Sequence, residues 1–202
     1  MRRAMIATPA FDGRVDVNYT YSLVQTIQLC LGNGIRVCPV WWPGEALVQH
    51  ARNMLVQLAI DAKVDDVLFV DSDQEWKPEE ALRLLTHPVQ VVGAPVRKKS
   101  DEEAYNVRAT KGLQENPETG LMAVDSIGTG FLRVTIQALQ EVWSCSQPYS
   151  KGDQKAHMVF DLQVISGELW GEDTIFCEKL KECGYDIHID PSFVVGHRGS
   201  KT

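Results

Sequence analysis

Three short apolar runs separated by two stretches of helical spacing constrain the first third of this chain to one kind of architecture. Residues 4–8 (AMIAT), 35–42 (IRVCPVWW) and 67–71 (VLFVD) read as buried strands, rich in β-branched and aromatic side chains and bounded by polar or turn-forming residues. Between the first two, Tyr21, Val24, Ile27 and Leu31 recur at helical spacing until Asn33-Gly34 stops the helix. Between the second and third, Leu47, Ala51, Met54, Leu55, Leu58 and Ala62 repeat the pattern. Strand, helix, strand, helix, strand is the order of a parallel sheet wound by right-handed crossovers. Pro9 is expected to close the first strand and Pro43-Gly44 the second. Ligands of such sheets bind beyond the carboxyl ends of the strands, so Thr8 and Asp71 are expected to face one cleft.

The third strand ends in acid: Asp71-Ser72-Asp73. Side chains two apart on extended backbone point the same way, which lets Asp71 and Asp73 converge. Two carboxylates at a strand end make an oxygen-rich site suited to magnesium or manganese, and such a metal can hold a nucleotide's diphosphate. The plainer alternative is a turn ahead of the helix that opens at Pro78.

The second half changes style. A helix over 79–85 precedes a buried strand over 89–96, and residues 97–103 (RKKSDEE) form either a solvated loop or a basic lid for phosphate. Strands over 105–109 and 121–127 flank the turn 116–120, and Gly128-Thr129-Gly130 leads into a helix over 135–143. Residues 147–155 are polar and expected to be mobile. Glu172 and Asp173 precede a helix over 174–183, where acids complement the helix dipole. His197 sits in a glycine-flanked segment, Gly196-His197-Arg198-Gly199, suited to folding back over a cleft. With no repeat or linker, the chain reads as a single domain: 1–96 a nucleotide-binding half, 97–202 an acceptor and metal-completing half.

Composition narrows the class. Apolar content of 44% and charged content of 23% are ordinary for a globular protein, and a formal charge of -7 argues against nonspecific nucleic-acid binding. No apolar run approaches the roughly 20 residues that cross a bilayer. Five cysteines without a CxxC pair fit reduced, mostly buried thiols of a cytoplasmic protein. The chain lacks GxxxxGK[ST], a full GxGxxG and GxSxG.

DSD after a hydrophobic strand, then GTGF, then GED before a helix, then GH near the end resembles the A-type (GT-A) fold of nucleotide-sugar glycosyltransferases. The likeness is to compact, family-two-like transferases of viruses, phages and bacteria, and it runs from Thr8-Pro9 to His197. It implies a single-domain α/β fold with a Rossmann-like, mostly parallel sheet and a small antiparallel β element. It implies transfer of a sugar from a UDP- or GDP-sugar to a hydroxyl of a glycan or other acceptor, with Mn2+ or Mg2+. By the same resemblance, Thr8, Pro9, Phe11, Arg52, Asn53 and Asp71 line the nucleotide, and Thr129 and Gly130 lie by the donor sugar. Asp71, Asp73 and His197 hold the metal, and Glu172 and Asp173 supply the general base, with Asp173 favoured. A viral or phage member would act in the host cytoplasm. Two other readings stay open: a non-catalytic sugar-nucleotide or glycan-binding module, and a haloacid-dehalogenase-like phosphatase using Asp71 as nucleophile.

Overall fold

The computed structural model describes residues 1–97, 105–109 and 112–197, and of His197 the backbone alone. The first half contains β1 (Arg2–Ala10), α1 (Val17–Gly32), β2 (Ile35–Pro43), α2 (Val48–Ala62), β3 (Asp66–Val70), β4 (Gln74–Glu75), α3 (Pro78–Thr86) and β5 (Val91–Gly93). There follow β6 (Val107–Arg108), β7 (Met122–Val124), β8 (Ser126–Ile127), β9 (Phe131–Thr135), α4 (Ile136–Cys145), β10 (Pro148–Lys151) and β11 (Gln154–His157). The chain continues through β12 (Gln163–Ile165), β13 (Glu168–Trp170), α5 (Glu172–Glu182), β14 (Ile187–Ile189) and β15 (Gly196–His197).

Among the described residues seven strands form one sheet in the order β2-β1-β3-β9-β5-β14-β7. β1 pairs parallel with β2 and β3, and β14 pairs parallel with β5. β9 runs antiparallel between β3 and β5, and β7 antiparallel at the edge. The sheet is therefore mostly parallel and the fold is α/β, as expected. The two halves of the chain interleave in it, because β9 comes from the second half and both its neighbours from the first.

β3 is buried on both faces, which is why its sequence is an unbroken apolar run. Val67 and Phe69 join one core layer with Leu55, Leu139, Phe160 and Phe176, from α2, α4, α5 and the segment before α5. Leu68 and Val70 join the other with Tyr19, Leu23, Leu84 and Leu85 from α1 and α3.

Four expectations need correction. α1 exists, but it buries Tyr19, Ser22, Leu23, Thr26 and Cys30 and leaves Tyr21, Val24 and Leu31 exposed. The buried hydroxyls are matched: the Trp76 indole N–H donates to Thr26 Oγ1 (2.8 Å) and its backbone N–H to Ser22 Oγ (3.1 Å). Pro9 does not end β1, which continues to Ala10 where only β2 remains as a neighbour, so the missing N–H costs no bond to β3. Residues 148–157 form an antiparallel hairpin rather than a mobile loop. The thiols are all free, but Cys38 and Cys145 are exposed. The expected strand pair is present as β6 with β8, while β7 joins the main sheet. Of the charged loop 97–103, residues 98–103 lie outside the described residues. Among the described residues no helix is long and apolar enough to cross a membrane.

Candidate active site

β3 delivers Asp71 to the carboxyl edge of the sheet, and backbone bonds hold it there. The Asp71 N–H donates to the Gly130 carbonyl (3.1 Å), and the Gln74 N–H returns to the Asp71 carbonyl (3.2 Å). The Asp16 N–H donates to the Ser72 carbonyl (2.9 Å), so the loop after β1 rests against the acidic turn. β15 pairs antiparallel with β4, setting the backbone of His197 beside Gln74, one residue past Asp73.

The centre of the site is Arg52 of α2, buried among apolar neighbours of the helix. Its Nη2 donates to Asp71 Oδ1 (3.0 Å), and its Nη1 to both Glu172 Oε1 (2.8 Å) and Asp173 Oδ1 (3.1 Å). Phe160 lies against the guanidinium, 5.8 Å from ring centroid to Cζ. Burial by itself would lower the Arg52 pKa; the Asp71, Asp173 and Glu172 carboxylates outweigh it and raise it. Glu172 and Asp173 open α5 after Gly171, and adjacent side chains on a helix start are expected to diverge. Instead both meet one nitrogen. Thr129 Oγ1 donates to Asp173 Oδ1 (2.5 Å), adding the segment before β9 to the cluster.

The other expected residues separate into two groups. Thr129 and Gly130 are at the site: a Cβ on Gly130 would come within 3.0 Å of Asp71 Oδ2 and 3.3 Å of Gln74 Nε2. Thr8 is fully buried at the end of β1 and bonded to the Tyr19 hydroxyl (2.6 Å), while Pro9 is half-buried and Phe11 is 66% exposed beyond the strand. Asn53 turns away, pairing its amide with the Phe160 backbone: Oδ1 accepts from the N–H (2.7 Å) and Nδ2 donates to the carbonyl (3.0 Å). It thereby fixes the ring that covers Arg52.

Among the described residues no group of three or more His, Cys, Asp or Glu side chains is arranged to hold a metal ion. Three carboxylates are instead bonded to a single guanidinium, and of the residues expected to hold the metal, Asp71 has its Oδ2 beside the bare Gly130. Magnesium-like ions commonly take one or two carboxylates and complete their shell with substrate phosphate and water.

Reading the sequence did not single out Gln74, Phe160 or Asn106. Gln74 is buried with its Oε1 unbonded among the described residues. Asn106 stands so close to Gly128 that a Cβ there would meet its Nδ2 at 2.6 Å. Asn106, Gly128, Arg108 and Asp173 share a cavity of about 300 Å³. The available signal was the Arg52-Asn53 pair itself, polar residues on the apolar side of an amphipathic helix.

No family model matches the chain, and no curated protein sequence matches it. Solved structures do. A197 from STIV superposes with a TM-score of 0.61 at 18% identity, covering 100% of this chain and 87% of that one. A glycosyltransferase involved in glycosylation of the major capsid of PBCV-1 gives 0.39 at 15% identity, over 71% of this chain and 66% of that one. S. aureus TarS 1-349 gives 0.48 at 14% identity, over 98% of this chain and 60% of that one. At these identities the A197 likeness concerns the fold alone, and nothing rests on the other two.

Proposed function

We propose that this chain is a glycosyltransferase that moves a sugar from a nucleoside-diphosphate sugar, UDP- or GDP-linked, to a hydroxyl of a glycan or other acceptor. One observation carries the reading: Asp71, Glu172 and Asp173, from two distant segments, converge on buried Arg52 just beyond the end of β3. That edge is where open α/β sheets bind ligands. Pro9, Phe11 and Asp71 line the nucleotide in this reading, with buried Thr8 behind them bonded to Tyr19, and Thr129 with Gly130 gives the donor sugar close access to the backbone. Arg52 orders the carboxylates, and Asn53 steadies Phe160 over it.

A carboxylate takes the proton of the acceptor hydroxyl as its oxygen bonds to the anomeric carbon. The bond from that carbon to the diphosphate oxygen breaks, and the nucleoside diphosphate leaves with the electron pair. Asp173 is the preferred base, since it lines the 300 Å³ cavity as well as the cluster. Asp71, Asp73 and His197 would hold Mn2+ or Mg2+, which neutralises charge on the departing diphosphate.

Calorimetry with UDP and GDP, in manganese and in EDTA, tests the reading. The expected result is metal-dependent binding of one of them that Asp73→Asn abolishes while the circular dichroism spectrum is unchanged. Equal affinity in EDTA would falsify the metal-bridged site. Metal-dependent binding without release of nucleoside diphosphate from any sugar donor would leave a binding module instead of an enzyme.

A further inference from the structure

A further pocket among the described residues lies elsewhere. It has a volume of about 620 Å³ and lies between the end of α2, α4 and the β10–β11 hairpin, lined by Gln57, Asp61, Trp143, Tyr149, Lys155 and His157 among others. Arg52 and Gln57 share α2, but five residues carry the helix about 7 Å along its axis and roughly 140° around it. This pocket therefore opens on a different side of the helix from the Arg52 cluster.

Its wall is a pair of stacked rings. Trp143 and His157 have centroids 3.8 Å apart and planes within 26°. Both rings are held from behind. The Trp143 indole N–H donates to Gln57 Oε1 (3.0 Å), and Gln57 Nε2 donates to Asp61 Oδ1 (3.1 Å). His157 Nδ1 lies 3.0 Å from the Ser146 carbonyl, which can only accept, so Nδ1 carries the proton and Nε2 of the neutral ring is an acceptor. The hairpin supplying Tyr149, Lys155 and His157 is fastened to α2: His50 Nδ1 meets the Tyr149 hydroxyl (2.6 Å) and His50 Nε2 meets Gln154 Oε1 (2.8 Å). An ion pair from Lys151 to Glu45 secures the hairpin further. The pocket is thus pre-formed, which lowers the ordering cost of binding.

The lining selects a ligand class. Among the described residues its charged side chains are one carboxylate, Asp61, and one ammonium, Lys155, so their formal charges cancel. A polyanion would meet Asp61 without an arginine fork to clamp it. A purely apolar ligand would desolvate Asp61 and Lys155 without pairing them. A neutral ring with an apolar face and a rim of hydroxyls, each able to donate and accept, satisfies both the aromatic wall and the polar groups. We propose that this pocket is a second, non-catalytic site that binds a neutral pyranose unit of a glycan. It stands on its own geometry, whether or not the Arg52 cluster transfers sugar.

Fluorine NMR of protein labelled with 5-fluorotryptophan reads this directly, because the chain has five tryptophans and Trp143→Phe identifies one line. The probes are methyl pyranosides of glucose, mannose and galactose, with cyclohexanol as an apolar control and UDP as an anionic one. At least one methyl pyranoside should move the Trp143 line saturably and leave the other four in place. Asp61→Ala, at an exposed helix end, should weaken that affinity about tenfold without changing the melting curve, as loss of one charged hydrogen bond would. Lys155→Ala on the hairpin should weaken it too, and both variants remain informative if Trp143→Phe does not fold. A Trp143 line unmoved by every pyranoside, or moved as readily by cyclohexanol or UDP, overturns the proposal. So does undiminished sugar affinity in both alanine variants.

Discussion

Asp173 and Glu172 share a donor but not an environment. The Asp173 side chain is 35% exposed and that of Glu172 20%, and Asp173 also accepts from Thr129. A base must reach an acceptor that arrives from solvent, and an orienting acid need not. In the proposed reaction Asp173→Asn, which keeps shape and removes basicity, should lower kcat by about two to four orders of magnitude with little change in donor KM. Glu172→Gln should cost less, since its contact with Arg52 survives as a neutral hydrogen bond. Initial rates of nucleoside diphosphate release at saturating donor measure both. A larger loss for Glu172→Gln reverses the two roles.

At the scale of an element, α1 shows how a helix can bury its less hydrophobic side. Tyr19 packs edge-on against Trp76 at 5.2 Å, and Ser22 and Thr26 give that tryptophan its hydrogen bonds. The hydroxyls are acceptable inside because they meet donors that would otherwise be unsatisfied. Thr26→Val keeps the volume but strands the indole N–H, and should destabilise the fold by about 1–3 kcal/mol. Val24→Thr, on the exposed face, should change stability by no more than about 0.5 kcal/mol. Urea unfolding of the two variants makes the comparison. The opposite ranking would mean that the apolar side of α1 is the buried one.

Across the whole molecule, Asp190 ties the carboxyl end of β14 to α3. It is fully buried, and accepts from Arg83, from His87 Nε2 (2.8 Å) and from the Ser192 hydroxyl (2.6 Å) and amide (3.0 Å). Burial alone would raise its pKa, but the bonds from Ser192, Arg83 and His87 prevail and bring it down to about 2. A carboxylate whose folded pKa lies below its unfolded value of roughly 3.9 stabilises the fold fully above that value. The contribution fades as pH falls through the window down to about 2. Asp190→Asn should therefore cost about 2 kcal/mol near neutrality and progressively less in acid, as read by denaturant melts across that window. A cost independent of pH would show that Asp190 acts through shape alone.

The local pattern determined a good deal. Nearly continuous apolar runs marked β1 and β3, because strands buried on both faces have no polar side to show, whereas the edge strand β2, whose burial alternates, was marked by its β-branched and aromatic residues. Helical spacing located α1 and α2, the helices expected over 79–85, 135–143 and 174–183 form as α3, α4 and α5, and the acids at 71, 73, 172 and 173 stood out at element ends. What periodicity cannot report is partnership. The buried side of α1 depended on Trp76, fifty residues beyond Thr26, and β9 took its antiparallel place through register with β3 and β5. The polar composition of 148–157 concealed a hairpin whose stability comes from His50 and Glu45 across the fold. Arg52 is the sharpest case. Its sequence position makes it a cation on a helix, and only the folded chain, by bringing three carboxylates from two distant segments within about 3 Å, makes it the centre of a site.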